Sequence, residues 1–405
     1  MKKFIVFLCL AVMTGCSKED DPEVIEIQKP EEPKPADPKP KEPETQKDIM
    51  AVDNAVQTFM KKYNIPGGSL AVSKNDKLVY QKGYGYADVD KKEEVTPEHI
   101  FRLASVSKAY TGVAVLLLVQ QAKLSLSDKV FGAGAILGTQ YGKPPYNNNL
   151  AAMTVKDLLL NISGSWGAAT GGDVIDLNPQ FTNDQMLDWI ISTRPNPRAP
   201  GELYDYSNVN FWIAGRIIEK ISGKKYIDFV KENIVKPIGA EHTDIAGKTL
   251  ADLKPKEVKY YGQETDAPYV YGISFPRRDA DGGITATAPD LLRFVNAIDG
   301  LSGRPDILTG ASRTLLNTTS KTNDYYGLGL GVWKEQNLIY SYGSLPGTRA
   351  GFMCNNGNGL SVAILFNSRI IPEKEETFVY AMQDVLLDLV RNNTTPWQDI
   401  DQFGK

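Results

Sequence analysis

Strand-forming segments occur only toward the two ends of the body of this chain, and that distribution constrains its fold more than any other feature. Near the start, Ser69–Ser73 and Lys77–Gly83 read as two strands joined around Asn75-Asp76, a hairpin signal. Strands return only at Gly327–Trp333, Asn337–Tyr342, Arg349–Asn355 and Leu360–Asn367, separated by Gly, Asn and Pro turns. The span between is mainly helical in pattern from Ser105 to about Thr193. Asn208–Ser222 is a further amphipathic helix stopped by Gly223, and Thr287-Ala288-Pro289-Asp290 reads as an N-cap opening Leu291–Ile298. Strands this far apart must pair with each other to bury their apolar faces. The pattern therefore predicts an α/β plus α fold. One antiparallel sheet is built from both chain ends and covered by helices such as Asp53–Lys62 and Glu375–Arg391. A mainly helical region is inserted at roughly residues 110–260. The body spans residues 49–392, followed by a polar tail, 393–405, and there is no internal repeat.

Ahead of the body the sequence reads as an address. Lys2 and Lys3 precede the apolar run Phe4–Met13, too short to span a bilayer but suited to a signal-peptide core. Met13-Thr14-Gly15-Cys16 resembles a bacterial lipobox, in which Cys16 is lipidated and becomes the mature N-terminus. Residues 1–15 are then a leader. Ser17-Lys18-Glu19-Asp20-Asp21 resembles the acidic export tag of some surface lipoproteins. From Ser17 to Asp48 there are seven prolines, six lysines and eleven acidic residues. Such a segment cannot bury a core and stays extended. At about 3.1 Å per residue it would hold the body up to ~90 Å from a membrane. Residues 16–48 are thus expected to be a stalk, and the protein a lipid-anchored component of the cell envelope at the outer membrane, with surface exposure open.

Composition removes several classes of function. A formal charge of −4 with no basic block gives no electrostatic footprint for nucleic acid. Of three cysteines, Cys9 and Cys16 fall in the leader region, so Cys354 has no partner for an intrachain disulfide and reads as a small buried hydrophobe. With only His99 and His242, no Cys/His metal site is expected. A Ser-His-Asp triad would need one of these two, and both read as exposed turn residues. There is no G-x-S-x-G. Gly247-Lys248-Thr249 resembles the end of a P-loop, but His242 stands where that loop needs its earlier glycine.

One constellation carries chemistry. Ser105-Val106-Ser107-Lys108 is an S-x-x-K, and on a helix residues three apart share a face. A serine hydroxyl is a weak nucleophile until a neighbour takes its proton. A desolvated lysine can do so, or its charge can lower the pKa of a nearby tyrosine. Ser222-Gly223-Lys224-Lys225 has the same spacing but closes a helix at a glycine. The partner is Tyr206-Ser207-Asn208, which opens a helix. Ser207 or Asn208 could serve merely as its N-cap, which would leave the tyrosine unexplained. Tyr146-Asn147-Asn148, of the same form, lies in a polar loop.

Together these segments resemble the serine β-lactamase-like proteins of the class C type, a family that also includes D-Ala-D-Ala carboxypeptidases, D-aminopeptidases and esterases. Phe101–Lys108 resembles its Phe-Arg-(Ile/Leu)-Ala-Ser-x-(Ser/Thr)-Lys, and Tyr206-Ser207-Asn208 its Tyr-(Ser/Ala)-Asn. Met153–Gly164 resembles Ile-Thr-x-x-x-Leu-Leu-x-His-x-Ser-Gly with Asn161 in place of the histidine. Gly282-Gly283-Ile284, with Asp290 following, and Ser344-Leu345-Pro346-Gly347 resemble two further segments in the family's order. The resemblance implies a β-lactamase/transpeptidase-like fold and acyl transfer without a cofactor. Ser105 is the implied nucleophile, and Lys108 and Tyr206 shuttle its proton, with the share of each left open. Asn208 binds the substrate amide, and the N–H groups of Ser105 and Ser344 form the oxyanion hole. The substrate is a small molecule or peptide.

The third family element, Lys/His-(Thr/Ser/Gly)-Gly, reads here Ser341-Tyr342-Gly343. The cation that commonly meets a substrate carboxylate is missing, and Arg349, Arg277 or Arg278 is the candidate replacement. An esterase-like or unusual peptidase activity fits this departure, and a non-catalytic surface binding protein that kept the fold is the alternative. For the anchor, Cys16→Ser should release the protein from membranes, because the leader cannot act as a stable span. Fractionation of the processed variant with the membrane pellet would refute the lipobox.

Overall fold

The computed structural model describes residues 46–170, 174–194, 196–370, 375–392 and 394–404. The leader, Cys16 and all but the end of the stalk lie outside the described residues. All described residues belong to one unit that begins at Thr45. None of their helices is long and apolar enough to cross a membrane.

The paired ends of the chain are visible at once in the strand order. Ten strands are described: β1 (Gly67–Lys74), β2 (Lys77–Asp88), β3 (Glu93–Glu94), β4 (Phe101–Arg102), β5 (Asp244–Ile245), β6 (Ile284–Ala286), β7 (Gly331–Trp333), β8 (Leu338–Leu345), β9 (Thr348–Asn355) and β10 (Leu360–Phe366). The main sheet has the order β3-β2-β1-β10-β9-β8-β7. Its central pair joins β1 to β10, antiparallel, with Leu70 opposite Ile364 and Val72 opposite Val362. A second sheet, β4-β6-β5, was not legible in the sequence because its strands have only two or three residues each.

Alternation along the central strands explains the layering. Leu70, Val72, Val362 and Ile364 pack with Val56 and Phe59 of the helix Met50–Lys62 and with Leu386 and Val390 of the helix Glu375–Arg391. Ala71, Ala363 and Leu365 face the other way, into the larger core. Both faces are covered, so these strands read as continuous apolar runs. The larger core centres on the helix Ser107–Gln120. Twelve of its fourteen residues are buried, as expected of a helix apolar all round. The helices Asn208–Ser222 and Ala288–Asn296 flank it. Ser207 caps the first, accepting from Asn210 N, and Gly223 ends it with φ +70°. Thr287 caps the second, accepting from Asp290 N, an interaction of about 1 kcal/mol.

Two local expectations need correction. The mainly helical span is less helical than its pattern, with no helix described between Gln120 and Asn148. His99 is buried rather than exposed, with Nδ1 accepting from Thr96 N at 2.9 Å. The tail is packed: Gln402 N donates to Leu78 O, and the Phe403 ring lies under Arg293 and Arg304. Cys354 is fully buried, as its apolar setting implied.

Asp76 in the β1–β2 turn forms a buried acid pair with Asp299, which follows the helix Ala288–Asn296. Asp76 is 1% exposed, and its Oδ2 accepts from Arg304 N at 3.0 Å. Burial, reinforced by the neighbouring Asp76 carboxylate, pushes the Asp299 carboxyl up to about 8. A raised folded-state value means that the folded chain keeps a proton the unfolded chain has released. Stability from this group is complete below the ordinary carboxyl value of 3.8 and is lost as pH rises through about 8. Asp299→Asn should therefore flatten the fall in melting temperature between pH 5 and pH 9. A variant with the wild-type slope would show that Asp299 does not hold this proton.

Candidate active site

The nucleophile candidate sits at a strained junction. Ser105 lies in a single 3-10 turn, Ala104–Val106, between β4 and the helix Ser107–Gln120. Ala104 has φ +47°, a left-handed conformation that costs a side chain roughly 1–2 kcal/mol. The flanks hold it there. Leu103 N donates to Ile284 O at 2.8 Å, and Ile284 N donates to Ser107 Oγ at 3.0 Å. The turn runs straight into the helix, so the three-residue spacing still brings the lysine to the serine.

Lys108 is the hub. It is 1% exposed, and Nζ lies 3.1 Å from Ser105 Oγ, 2.5 Å from Asn208 Oδ1 and 2.7 Å from Asp281 O. Its nitrogen is also 4.9 Å from the centre of the Tyr206 ring. The carbonyl of Asp281 carried no signal in the sequence, because a backbone acceptor has no residue type. Its segment is tightly held: Arg278 Nη1 bonds Asp281 Oδ2 at 2.7 Å, and Arg216 Nη2 bonds Asp279 Oδ2 at 2.6 Å.

Asn161 brings the Tyr206 segment in. It takes φ +54°, a conformation asparagine tolerates, and is fully buried. Its Oδ1 accepts from Ser207 N at 3.1 Å and from Asn210 Nδ2 at 3.2 Å, and its carbonyl accepts from Asp205 N at 2.8 Å. A histidine in that place would change this pattern of acceptors.

A cleft of about 500 Å³ opens beside these groups, lined by Ser105, Tyr206, Asn208, Ser341, Tyr342, Ser344 and Arg349, with Tyr204, Tyr326 and Tyr340 completing its walls. The last three tyrosines were not singled out in the sequence. Burial pushes the phenols of Tyr204, Tyr326, Tyr340 and Tyr342 upward, so they stay protonated. Tyr206 differs in being 38% exposed, with its ring edge-on to Tyr326 at 6.1 Å.

Residues 52–385 match the family described as Beta-lactamase. The chain belongs to the beta-lactamase family. Among curated relatives it is similar to Protein flp of Staphylococcus aureus (strain N315), with 26% identity over 82% of this chain and 66% of that protein. The chain thus spans just under two thirds of that relative's length. Among solved structures it is similar in fold to a class C beta-lactamase, with TM-score 0.67, 21% identity and coverage of 83% of this chain and 95% of that one. It is also similar to a D-stereospecific amidohydrolase from Streptomyces sp., with TM-score 0.65, 21% identity and coverage of 85% and 98%. The fold is the β-lactamase/transpeptidase-like fold.

Within this beta-lactamase frame the third element stands on β8. Gly343 is dictated by contact: a Cβ there would lie 2.0 Å from Leu103 O and 2.9 Å from Ser105 N. Ser341 lines the cleft where the family pattern has a cation. Two proposed replacements are ruled out by their partners. Arg277 donates to the carbonyls of Leu177, Asn178, Pro179 and Phe181, and Arg278 to Asp176 and Asp281. Neither lines the cleft. Arg349 does, opposite Ser344 in the β8–β9 register. Arg369, unforeseen because it follows the last strand, donates from Nη1 to Ser344 Oγ at 3.0 Å.

The glycine contact is testable. Gly343→Ala forces backbone away from Ser105 and should slow covalent labelling of Ser105 by about 100-fold, the effect of an ångström-scale misplacement. Gly282→Ala should change it little, since its Cβ meets only Leu345 Cδ1, at 3.4 Å, and Ala104 C, at 3.9 Å. Equal labelling rates in the two variants would contradict the close approach of β8.

Proposed function

We propose that the protein is a serine hydrolase that cleaves an ester or amide through an acyl-enzyme. The observation that carries the reading is the 3.1 Å contact between Lys108 Nζ and Ser105 Oγ, made where Asn208 Oδ1 and Asp281 O accept from the same nitrogen. A neutral amine has two N–H groups and a lone pair. Were Lys108 neutral, N–H groups directed to those two acceptors would leave its lone pair to take the serine proton. Ser105 Oγ attacks the carbonyl carbon and its proton passes to the Lys108–Tyr206 pair. The N–H groups of Ser105 and Ser344 receive the developing oxyanion, and Asn208 meets the substrate amide. The bond to the leaving alcohol or amine breaks as that group takes the proton, and water then repeats the sequence on the acyl-enzyme.

A β-lactam, a D-amino-acid peptide or an ester fits this chemistry. Ser341, in place of a cation, supports neutral esters over substrates that bind through a carboxylate. A lipid anchor at Cys16 would place the enzyme in the cell envelope. The same Ser341 is the observation that favours the second reading, a binding protein without turnover.

A fluorophosphonate distinguishes the two, because labelling forms an Oγ–P bond with loss of fluoride and needs an activated serine. Wild type should label at Ser105, Ser105→Ala should not, and Ser222→Ala should label normally. Lys108→Met and Tyr206→Phe should each lower ester turnover by at least ~100-fold, and their double variant should be far from additive. An unlabelled wild type would favour the binding protein.

A further inference from the structure

A buried arginine on the strand that enters the Ser105 turn reaches residues packed under the turn that follows Ser344. Arg102 lies three residues before Ser105 and is fully buried. Its charged carbon sits 4.0 Å from the centre of the Tyr260 ring, 4.2 Å from Phe275 and 5.3 Å from Tyr271. Nη1 donates to Val270 O at 2.8 Å, while Nε and Nη2 reach no acceptor among the described residues. Leaving two buried donors unmade is costly, so packing geometry rather than hydrogen-bond count keeps the side chain here. The backbone of the same residue is tied as well. Its N–H donates to Tyr260 Oη at 2.8 Å, and its carbonyl accepts from Thr348 Oγ1 at 2.8 Å.

Those contacts lead to the other donor. Tyr260 and Val270, both held by Arg102, pack under the turn between β8 and β9. A Cβ on Gly347 would lie 2.7 Å from Val270 Cγ1 and 3.0 Å from Tyr260 Cβ. That turn follows Ser344 directly, and Thr348 at its far end binds Arg102 O. The segment is braced internally, because Tyr260 Oη donates to Glu257 Oε1 at 2.9 Å and Tyr271 Oη accepts from Tyr260 N at 2.8 Å. Arg102 therefore belongs through its backbone to the strand that enters the Ser105 turn, and through its guanidinium touches Tyr260 and Val270, which pack under the turn after Ser344.

We propose that Arg102 is a positioning residue that sets the separation between the Ser105 and Ser344 N–H groups. It touches neither substrate nor reacting atoms, and the inference rests on the hydrolase reading for its catalytic consequence. A planar, weakly hydrated guanidinium can fill a three-ring cage while bonding a carbonyl edge-on, whereas a lysine ammonium cannot match that shape.

The test compares Arg102→Lys, Arg102→Met and Tyr260→Phe with wild type, at a temperature where all are folded. Fluorophosphonate labelling and kcat and KM for p-nitrophenyl acetate are measured together with amide hydrogen exchange by mass spectrometry. Losing the alignment of one donor should slow labelling and kcat by about 100- to 1,000-fold in both Arg102 variants, with KM within about threefold. Tyr260→Phe, which keeps the ring, should lose about tenfold. Exchange should rise at least about tenfold in peptides covering Ser105 and Ser344 together. A buried arginine with only a structural role would leave the folded variants labelling at wild-type rate, or would loosen residues 257–275 without those two peptides. Either result overturns the proposal. A wild type that takes no label overturns the hydrolase reading instead, and exchange still decides the Arg102 assignment.

Discussion

Everything at this site depends on where one nitrogen is held. Lys108 Nζ meets Ser105 from the turn that leads into its own helix, Asn208 from the start of another helix, and the Asp281 carbonyl from the loop before β6. These groups are far apart in sequence and approach only when the helical region closes onto the sheet. A lysine taken out of water is costly unless its hydrogens are satisfied. The contacts that satisfy it also hold it beside the serine.

The surroundings of that nitrogen are built from buried charge rather than from apolar packing alone. Arg216–Asp279 and Arg278–Asp281 lock the loop that presents the Asp281 carbonyl, and Arg277 ties the same loop to four carbonyls of residues 177–181. Buried ion pairs contribute little net stability compared with apolar substitutes, and their common use is to specify one arrangement. Here the arrangement specified is the position of a carbonyl oxygen. Burial raises the Asp279 carboxyl while Arg216 pulls it back down, which marks how much that pairing is needed.

On the opposite wall the constraint is steric. β8 passes so close to the Ser105 turn that only glycine fits at residue 343, and the left-handed Ala104 is held between β8 and β6. Ser341 stands where the family pattern has a cation, and this does not disturb the approach, since β8 and β9 keep their register from Leu338 to Leu345.

Much of this was legible in the residue pattern. Apolar strands at both ends required a sheet closed across the chain, because neither end could bury its faces alone. The S-x-x-K and Tyr-Ser-Asn spacings singled out Ser105, Lys108, Tyr206 and Asn208, which the structure brings together at one cleft, since local spacing on a helix or at its cap carries into three dimensions. The pattern misjudged His99 because a short polar turn looks exposed until β3 and the 256–258 segment cover it. It could not choose among Arg277, Arg278 and Arg349, as an arginine's sequence neighbours do not say which carbonyls or carboxylates will claim it. Sequence by itself determined the sheet, the order of the motifs and the chemical types at the site. Tertiary structure alone decided that a backbone carbonyl would hold Lys108, that tyrosines would wall the cleft and that Arg102 would bridge two turns. These depend on distances between segments that only the packed core brings together.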